Sequence, residues 1–180
     1  VNIPELMDHK LFKVVANLPY YITTPIIMSL LESKLPIERL VVMVQKEVAE
    51  RMIAKPGTKM YGALSVAVQY YTDPYIVMDV PPKAFLPAPE VTSAVICCPL
   101  RSEPPVKVHS EAYFFRAVKA GFAQRRKTFS NTMKTTGLSK EAIEAILAKA
   151  NIDGSRRGET FTLDEFALIG NAWYELDQEG

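Results

Sequence analysis

An α/β fold with a partly parallel sheet, followed by a small all-α domain, is what the sequence predicts, and three observations predict it. Two strand-and-helix units follow one another near the start, over residues 12–31 and 39–53, and successive units of that kind make a parallel sheet. Two further apolar runs, 75–80 and 92–100, are joined by a proline-rich turn too short for a crossover helix, so they are expected to pair antiparallel. Beyond residue 103 no convincing strand occurs, and the apolar residues recur at helical spacing. The expected domains are therefore 1–103 and 104–180.

The first strand is the valine-rich run FKVVA at 12–16, stopped by Asn17-Leu18-Pro19-Tyr20-Tyr21. Thr23-Thr24-Pro25 offers a threonine cap and a proline in the first turn, and Ile26, Ile27, Leu30 and Leu31 then recur as on a helix. RLVVMV at 39–44 reads as a strand buried on both faces, and 45–53 as a helix with Val48, Met52 and Ile53 inward. The stretch 63–71 is ambiguous by period, and its length favours a helix. From Glu111 the reading is helical. Phe115, Val118, Phe122, Phe129 and Met133 fall within about 60° on one continuous wheel, with Arg116, Lys127 and Lys134 on its flank. Arg126 projects into that apolar stripe, which requires a bend near Lys127 or a partner for the arginine. Helices over 139–150 and 163–176 complete the second domain, with Asp164 and Glu165 in the first turn of the last, where the helix dipole favours acids.

The composition, 48% hydrophobic and 23% charged without low-complexity tracts, argues against disorder. No apolar run approaches the roughly 18–20 residues of a membrane-spanning helix, and the start VNIPELMDHK lacks the pattern of a signal peptide, so no membrane association and a cytoplasmic location are expected. Cys97 and Cys98 are adjacent in a strand, point to opposite faces, and are expected to be buried thiols rather than a disulfide or metal site. His9 and His109 read as surface residues, and no metal site is expected. The net charge of +1 conceals a polarity: residues 101–134 carry eight Lys or Arg against two acids, while 159–180 carry six acids and no Lys or Arg. A nucleic-acid face formed by Arg116, Lys119, Arg125, Arg126, Lys127 and Lys134 and an ordinary solvated helix surface both fit that distribution.

Asn-Leu-Pro-Tyr directly after a parallel strand lies at a strand carboxyl end, where open α/β sheets place ligands. An adenine amino nitrogen is a poor nucleophile because its lone pair is delocalised into the ring. Two acceptors, the Asn17 side-chain oxygen and the Leu18 carbonyl, suit its two hydrogens and favour a tetrahedral nitrogen with a localised lone pair. Pro19 fixes the backbone that presents that carbonyl, and Tyr20 offers a ring for stacking. Phe85, in the loop FLPAPEVTS, offers an opposing aromatic wall for an extruded base. A plain tight turn at NLPY and a phenylalanine folded onto the sheet edge are the alternatives at this point.

NLPYYITTPI, VQKEVAERM, FLPAPEVTSAV and FFRAVKAGFAQRRKTFSN, in this order, resemble the small-subunit ribosomal RNA adenine dimethyltransferases of the KsgA type. The resemblance implies the carboxy-terminal half of a class I, Rossmann-like methyltransferase sheet and a helical domain that docks ribosomal RNA. It implies that Asn17, Leu18, Pro19, Tyr20 and Phe85 form the target-adenine site, with Asn17 also near the donor. The implied reaction is two successive methyl transfers from S-adenosylmethionine to N6 of each of two adjacent adenines. The family's glycine-rich donor motif has no counterpart: the eight glycines, at 57, 62, 121, 137, 154, 158, 170 and 180, form no G-x-G. The expectation is therefore a piece of a longer protein, inactive alone, monomeric when whole and prone to self-association through an exposed sheet edge. An RNA-binding assembly factor and the large-subunit dimethyltransferases of macrolide resistance are the rival readings. DNA adenine methyltransferases, more distant, typically carry proline at the position of Leu18.

Overall fold

The computed structural model describes residues 10–179, which fall into two compact units. Unit 1 runs up to Ala54 and resumes over Ala67–Pro104; unit 2 comprises Lys55–Val66 and the chain from Pro105 onward. Residues 55–66, which the sequence reading leaves in the first domain, thus group with the second unit. His9 lies outside the described residues.

Unit 1 is built on four strands, β1 (Phe12–Asn17), β2 (Ile37–Gln45), β3 (Tyr75–Val80) and β4 (Ser93–Pro99), in the order β1-β2-β4-β3. β1 and β2 are parallel; β4 runs antiparallel to β2, and also to β3, as the short proline-rich connection between β3 and β4 favours. Helices α1 (Thr23–Glu32), α2 (Lys46–Met52) and α3 (Ala63–Tyr71) accompany the sheet, the unit boundary falling within α3. The register explains the core. Leu40, Val42 and Val44 of β2 sit opposite Cys98, Ile96 and Ala94 of β4, and all six are buried. The intervening residues Val41 and Met43 are only partly covered, so β2 is fully buried on one face, not both. The cysteines are free, buried and on opposite faces, and burial pushes the Cys98 thiol up to about 12, which makes it inert at neutral pH.

Two local expectations are corrected. Thr23 makes no N-terminal cap; it is the first helical residue of α1, and its hydroxyl donates 3.0 Å back to the Pro19 carbonyl. In α2 the inward residues are Ala49 and Met52, while Ile53 lies at its exposed end. The Gln69 side-chain amide donates to the carbonyls of Met52 at 3.0 Å and Ala54 at 2.8 Å, satisfying acceptors that a short helix leaves open.

The ordered elements described in unit 2 are helical: α4 (Glu111–Phe122), α5 (Phe129–Met133), α6 (Lys140–Ala150) and α7 (Leu163–Glu179), with 3-10 turns at Lys134–Thr136 and Gly158–Thr160. The single stripe expected from Phe115 to Met133 does not exist, because residues 123–128 are not helical. Phe129 N–H donates instead to Arg156 O at 2.8 Å, and Arg126 sits in a turn rather than in an apolar face. The core is aromatic: Phe161 packs edge-on against Phe129 and Phe166 at 5.0 and 5.6 Å, and Phe114 and Trp173 are also fully buried. Residues 55–66 are bound in by Tyr61, whose hydroxyl donates 2.8 Å to Phe161 O and whose phenol is raised by burial. Backbones approach closely where glycine permits it, since a Cβ on Gly170 would stand 2.9 Å from Phe114 Cα. Thr162 and Glu165 form a capping box at the start of α7, with Thr162 N–H donating to Glu165 Oε2 at 2.9 Å and Glu165 N–H to Thr162 Oγ1 at 3.2 Å. The same carboxylate is paired with Arg156, which holds its pKa below the ordinary range.

Candidate functional site

In unit 1 a cleft of about 330 Å³ opens at the carboxyl end of β1, lined by Asn17, Leu18, Pro19, Tyr20, Phe85, Pro87 and Pro89. The two segments singled out in the sequence thus come together, and all five candidate catalytic residues border one space.

The turn after β1 is pinned on its inner side. Leu18 is 7% exposed, and its N–H donates to Met43 O at 3.3 Å. The Pro19 carbonyl accepts from both Thr23 Oγ1 and Ile22 N–H, at 3.0 and 3.2 Å. Neither the Asn17 side chain nor the Leu18 carbonyl takes part in a hydrogen bond among the described residues, and Asn17 is exposed. The loop is therefore fixed by its other groups while these two acceptors stay available, which is the preorganisation a ligand amine needs.

Tyr20 is held by a contact that sequence reasoning missed. Its hydroxyl lies 2.5 Å from Oγ of Ser93, a fully buried residue at the start of the central strand β4. The serine stands in FLPAPEVTS, so the motif was visible, but nothing in its spacing assigns the pairing. Substituting Tyr20→Phe and Ser93→Ala singly and together should reveal a coupling of about 0.5–1.5 kcal/mol in thermal or denaturant unfolding; strictly additive effects would contradict the bond. Phe85 is half-buried, and Leu86 beside it is fully exposed. Lys46 does not add a free cation here, because it pairs with Asp79 at 2.6 Å, and that carboxylate raises its pKa.

The six basic candidates lie in unit 2 and are not equivalent. Arg125 donates to Lys59 O at 3.0 Å and lies 3.8 Å from Glu159, and Lys134 donates to Asn131 Oδ1 at 3.1 Å. Arg126 and Lys127 are exposed in the turn 123–128. Arg116 stands over the rings of Trp173 and Tyr113, at 4.7 and 5.0 Å, and Lys119 follows one turn later on α4. His109 pairs with Glu175 at 2.9 Å, and among the described residues no cluster suited to a metal occurs. No helix among them is long and apolar enough to cross a membrane.

The mixed sheet with its helices defines an α/β protein, and its solved neighbours have the Rossmann-like fold of methyltransferases. A crystal structure of a dimethyladenosine transferase from Plasmodium falciparum matches with a TM-score of 0.75 at 21% identity, covering 93% of this chain and 67% of that one. The crystal structure of the 23S rRNA methyltransferase ErmE matches at 0.63 and 22%, covering 92% and 66%. At such identities the likeness shows the fold alone. The family model for ribosomal RNA adenine dimethylases matches residues 1–168, and the chain belongs to that family. Curated relatives named ribosomal RNA small subunit methyltransferase A include that of Geobacillus sp. (strain WCH70), 57% identical over 163 residues, and that of Clostridioides difficile (strain 630), 53% identical over 176. These alignments cover 88% and 95% of this chain but only 56% and 61% of the relatives, so the chain spans less than two thirds of their length.

Proposed function

We propose that this chain supplies the target-base half and the RNA-docking unit of a cytoplasmic small-subunit ribosomal RNA adenine N6-dimethyltransferase, which transfers methyl groups from S-adenosylmethionine to two adjacent adenines. One observation carries the reading: Asn17 Oδ1 and the Leu18 carbonyl, two acceptors without a partner among the described residues, share a cleft with Tyr20 and Phe85. An adenine turned out of its stack regains stacking energy between the rings, and its two amino hydrogens meet the two acceptors. Both bonds draw the nitrogen towards a tetrahedral shape and localise its lone pair, so that positioning does the work and no metal or nucleophilic side chain is required. Solvent takes the proton that the alkylated nitrogen loses.

Unit 1 contains no glycine and so offers no backbone cradle of the glycine-rich kind; of its residues, Asn17 lies beside the donor in this reading. The test is a transfer assay on a protein of the relatives' full length, with labelled donor and small ribosomal subunits. Label recovered as N6,N6-dimethyladenine in small-subunit RNA is expected; label in large-subunit RNA alone, or RNA binding without any transfer, would overturn the reading in favour of its rivals.

Docking of the RNA falls to Arg116, Lys119, Arg125, Arg126, Lys127 and Lys134. Reversing the charges of Arg125, Arg126 and Lys127 is expected to weaken RNA binding and to flatten the salt dependence by about 0.7–0.9 per lost phosphate contact; an unaltered slope would remove this turn from the interface. β1 pairs only with β2 among the described residues and carries Val15 77% exposed, and such an edge favours self-association of the isolated chain. Light scattering should therefore find the isolated chain associated, and a monomer would refute this.

A further inference from the structure

Unit 2 contains a second pocket, about 260 Å³, lined by Arg116 and Lys119 of α4, Thr135 and Thr136 of the 3-10 turn after α5, Trp173 of α7 and two alanines. Its polar groups divide into two sets. Arg116 is held by the faces of Trp173 and Tyr113 instead of by an acid, and among the described residues no carboxylate comes within ion-pair distance of either Arg116 or Lys119. In the same unit Arg125, Lys140, Lys149 and Arg156 all have such partners. Trp173 is 1% exposed, yet its Nε1 has no hydrogen-bond partner among the described residues, and a buried donor left unpaired is costly. The second set is of opposite kind. Thr135 and Thr136 spend their only hydroxyl protons on the carbonyls of Thr132 and Met133, at 2.7 and 2.6 Å, so towards a ligand they can only accept.

A phosphodiester group by itself offers acceptors alone, and free phosphate keeps only one or two P–OH donors on the atom that the cations hold, so neither serves the threonines as a neighbouring hydroxyl would. It would also underfill the space, which is roughly nine times the ~30 Å³ share of one liquid water. A ribonucleotide meets both sets, since its phosphate suits the cations and its 2′-hydroxyl is a donor as well as an acceptor. We propose that this pocket is a ribonucleotide subsite, in which Arg116 and Lys119 pair with a phosphodiester while the 2′-hydroxyl of the adjoining ribose donates to Thr135 or Thr136. The subsite rests on the reading of unit 2 as RNA-docking and adds a means of telling RNA from DNA.

The test compares binding of a short single-stranded RNA and the DNA of the same sequence to the full-length protein across a salt series, with adenosine monophosphate and inorganic phosphate as competitors. The unsubstituted protein should prefer RNA by roughly two- to ten-fold, the worth of one hydrogen bond. Lys119→Gln should weaken RNA and DNA alike and reduce the salt slope by about 0.7. Thr135→Val with Thr136→Val should abolish the preference and leave the slope intact; adenosine monophosphate should compete better than phosphate. A preference that survives the threonine changes, or a slope indifferent to Lys119→Gln, overturns the subsite. If charge reversal at Arg126 and Lys127 still flattens the slope in that case, the docking reading stands without the pocket; if it does not, the docking reading fails as well. Competition by phosphate equal to that by the nucleotide would reduce the pocket to an anion site and refute the proposal.

Discussion

Replacing Asn17 with alanine in a protein of the relatives' full length should lower methyl transfer by about 10²- to 10³-fold, the usual cost of deleting one preorganised polar group from a reacting centre. Asn17 is exposed, borders the cleft and makes no side-chain hydrogen bond among the described residues, so its loss should leave the unfolding transition within about 0.5 kcal/mol of the parent. The effect belongs mainly in kcat, because the acceptor matters most as the amino nitrogen becomes tetrahedral, while stacking on Tyr20 and Phe85 still binds the base. Asn17→Asp keeps an acceptor oxygen and should lose less than alanine. Single-turnover rates on small ribosomal subunits check this, and unchanged transfer by the alanine variant would remove Asn17 from the chemistry.

The largest expected effect on stability is at Gly158. A Cβ added there would overlap the carbonyl oxygen of Gly121 and stand 2.6 Å from its carbonyl carbon and 2.8 Å from its Cα, all backbone atoms that no rotamer change can move. Gly158→Ala should therefore force the Gly158–Thr160 turn away from α4 at a cost of about 3 kcal/mol or more. For a helical unit of this size that is a fall in Tm of roughly 12–24 °C for the transition in which unit 2 melts. Gly137→Ala is the control: its left-handed φ of +85° gives strain, but a Cβ there meets nothing within 4 Å, so about 1 kcal/mol is expected. Calorimetry of the two variants separates steric overlap from backbone strain, and equal melting temperatures would contradict the close approach.

What could be read from the sequence follows the range of the forces involved. The strand, turn and helix around NLPY are written locally, by a valine run, a proline and an apolar stripe at helical spacing, and the structure places them within a residue or two. The antiparallel pair was legible because a proline-rich turn leaves no room for a crossover. The break at residues 123–128 was not, since Ala, Gln, Arg and Lys are good helix formers; distant partners decide it, Lys59 for Arg125 and Arg156 for Phe129. Long-range contacts likewise hid the joining of residues 55–66 to the helical unit through Tyr61, and the tie between Tyr20 and Ser93. In the cleft, the residue types were legible and the support that holds them was not. The basic residues can be counted from the sequence, but only the fold separates Arg116 and Lys119, which border a pocket, from Arg125, already half engaged.

A structure of the full-length protein bound to small-subunit RNA, or to a short RNA with an unpaired adenine, tests the central claim most directly. The account predicts one adenine turned out of the helix, its ring between Tyr20 and Phe85, and its N6 about 2.7–3.2 Å from both Asn17 Oδ1 and the Leu18 carbonyl oxygen. An adenine bound with N6 directed away from these two oxygens, or a target base seated outside this cleft, would contradict it.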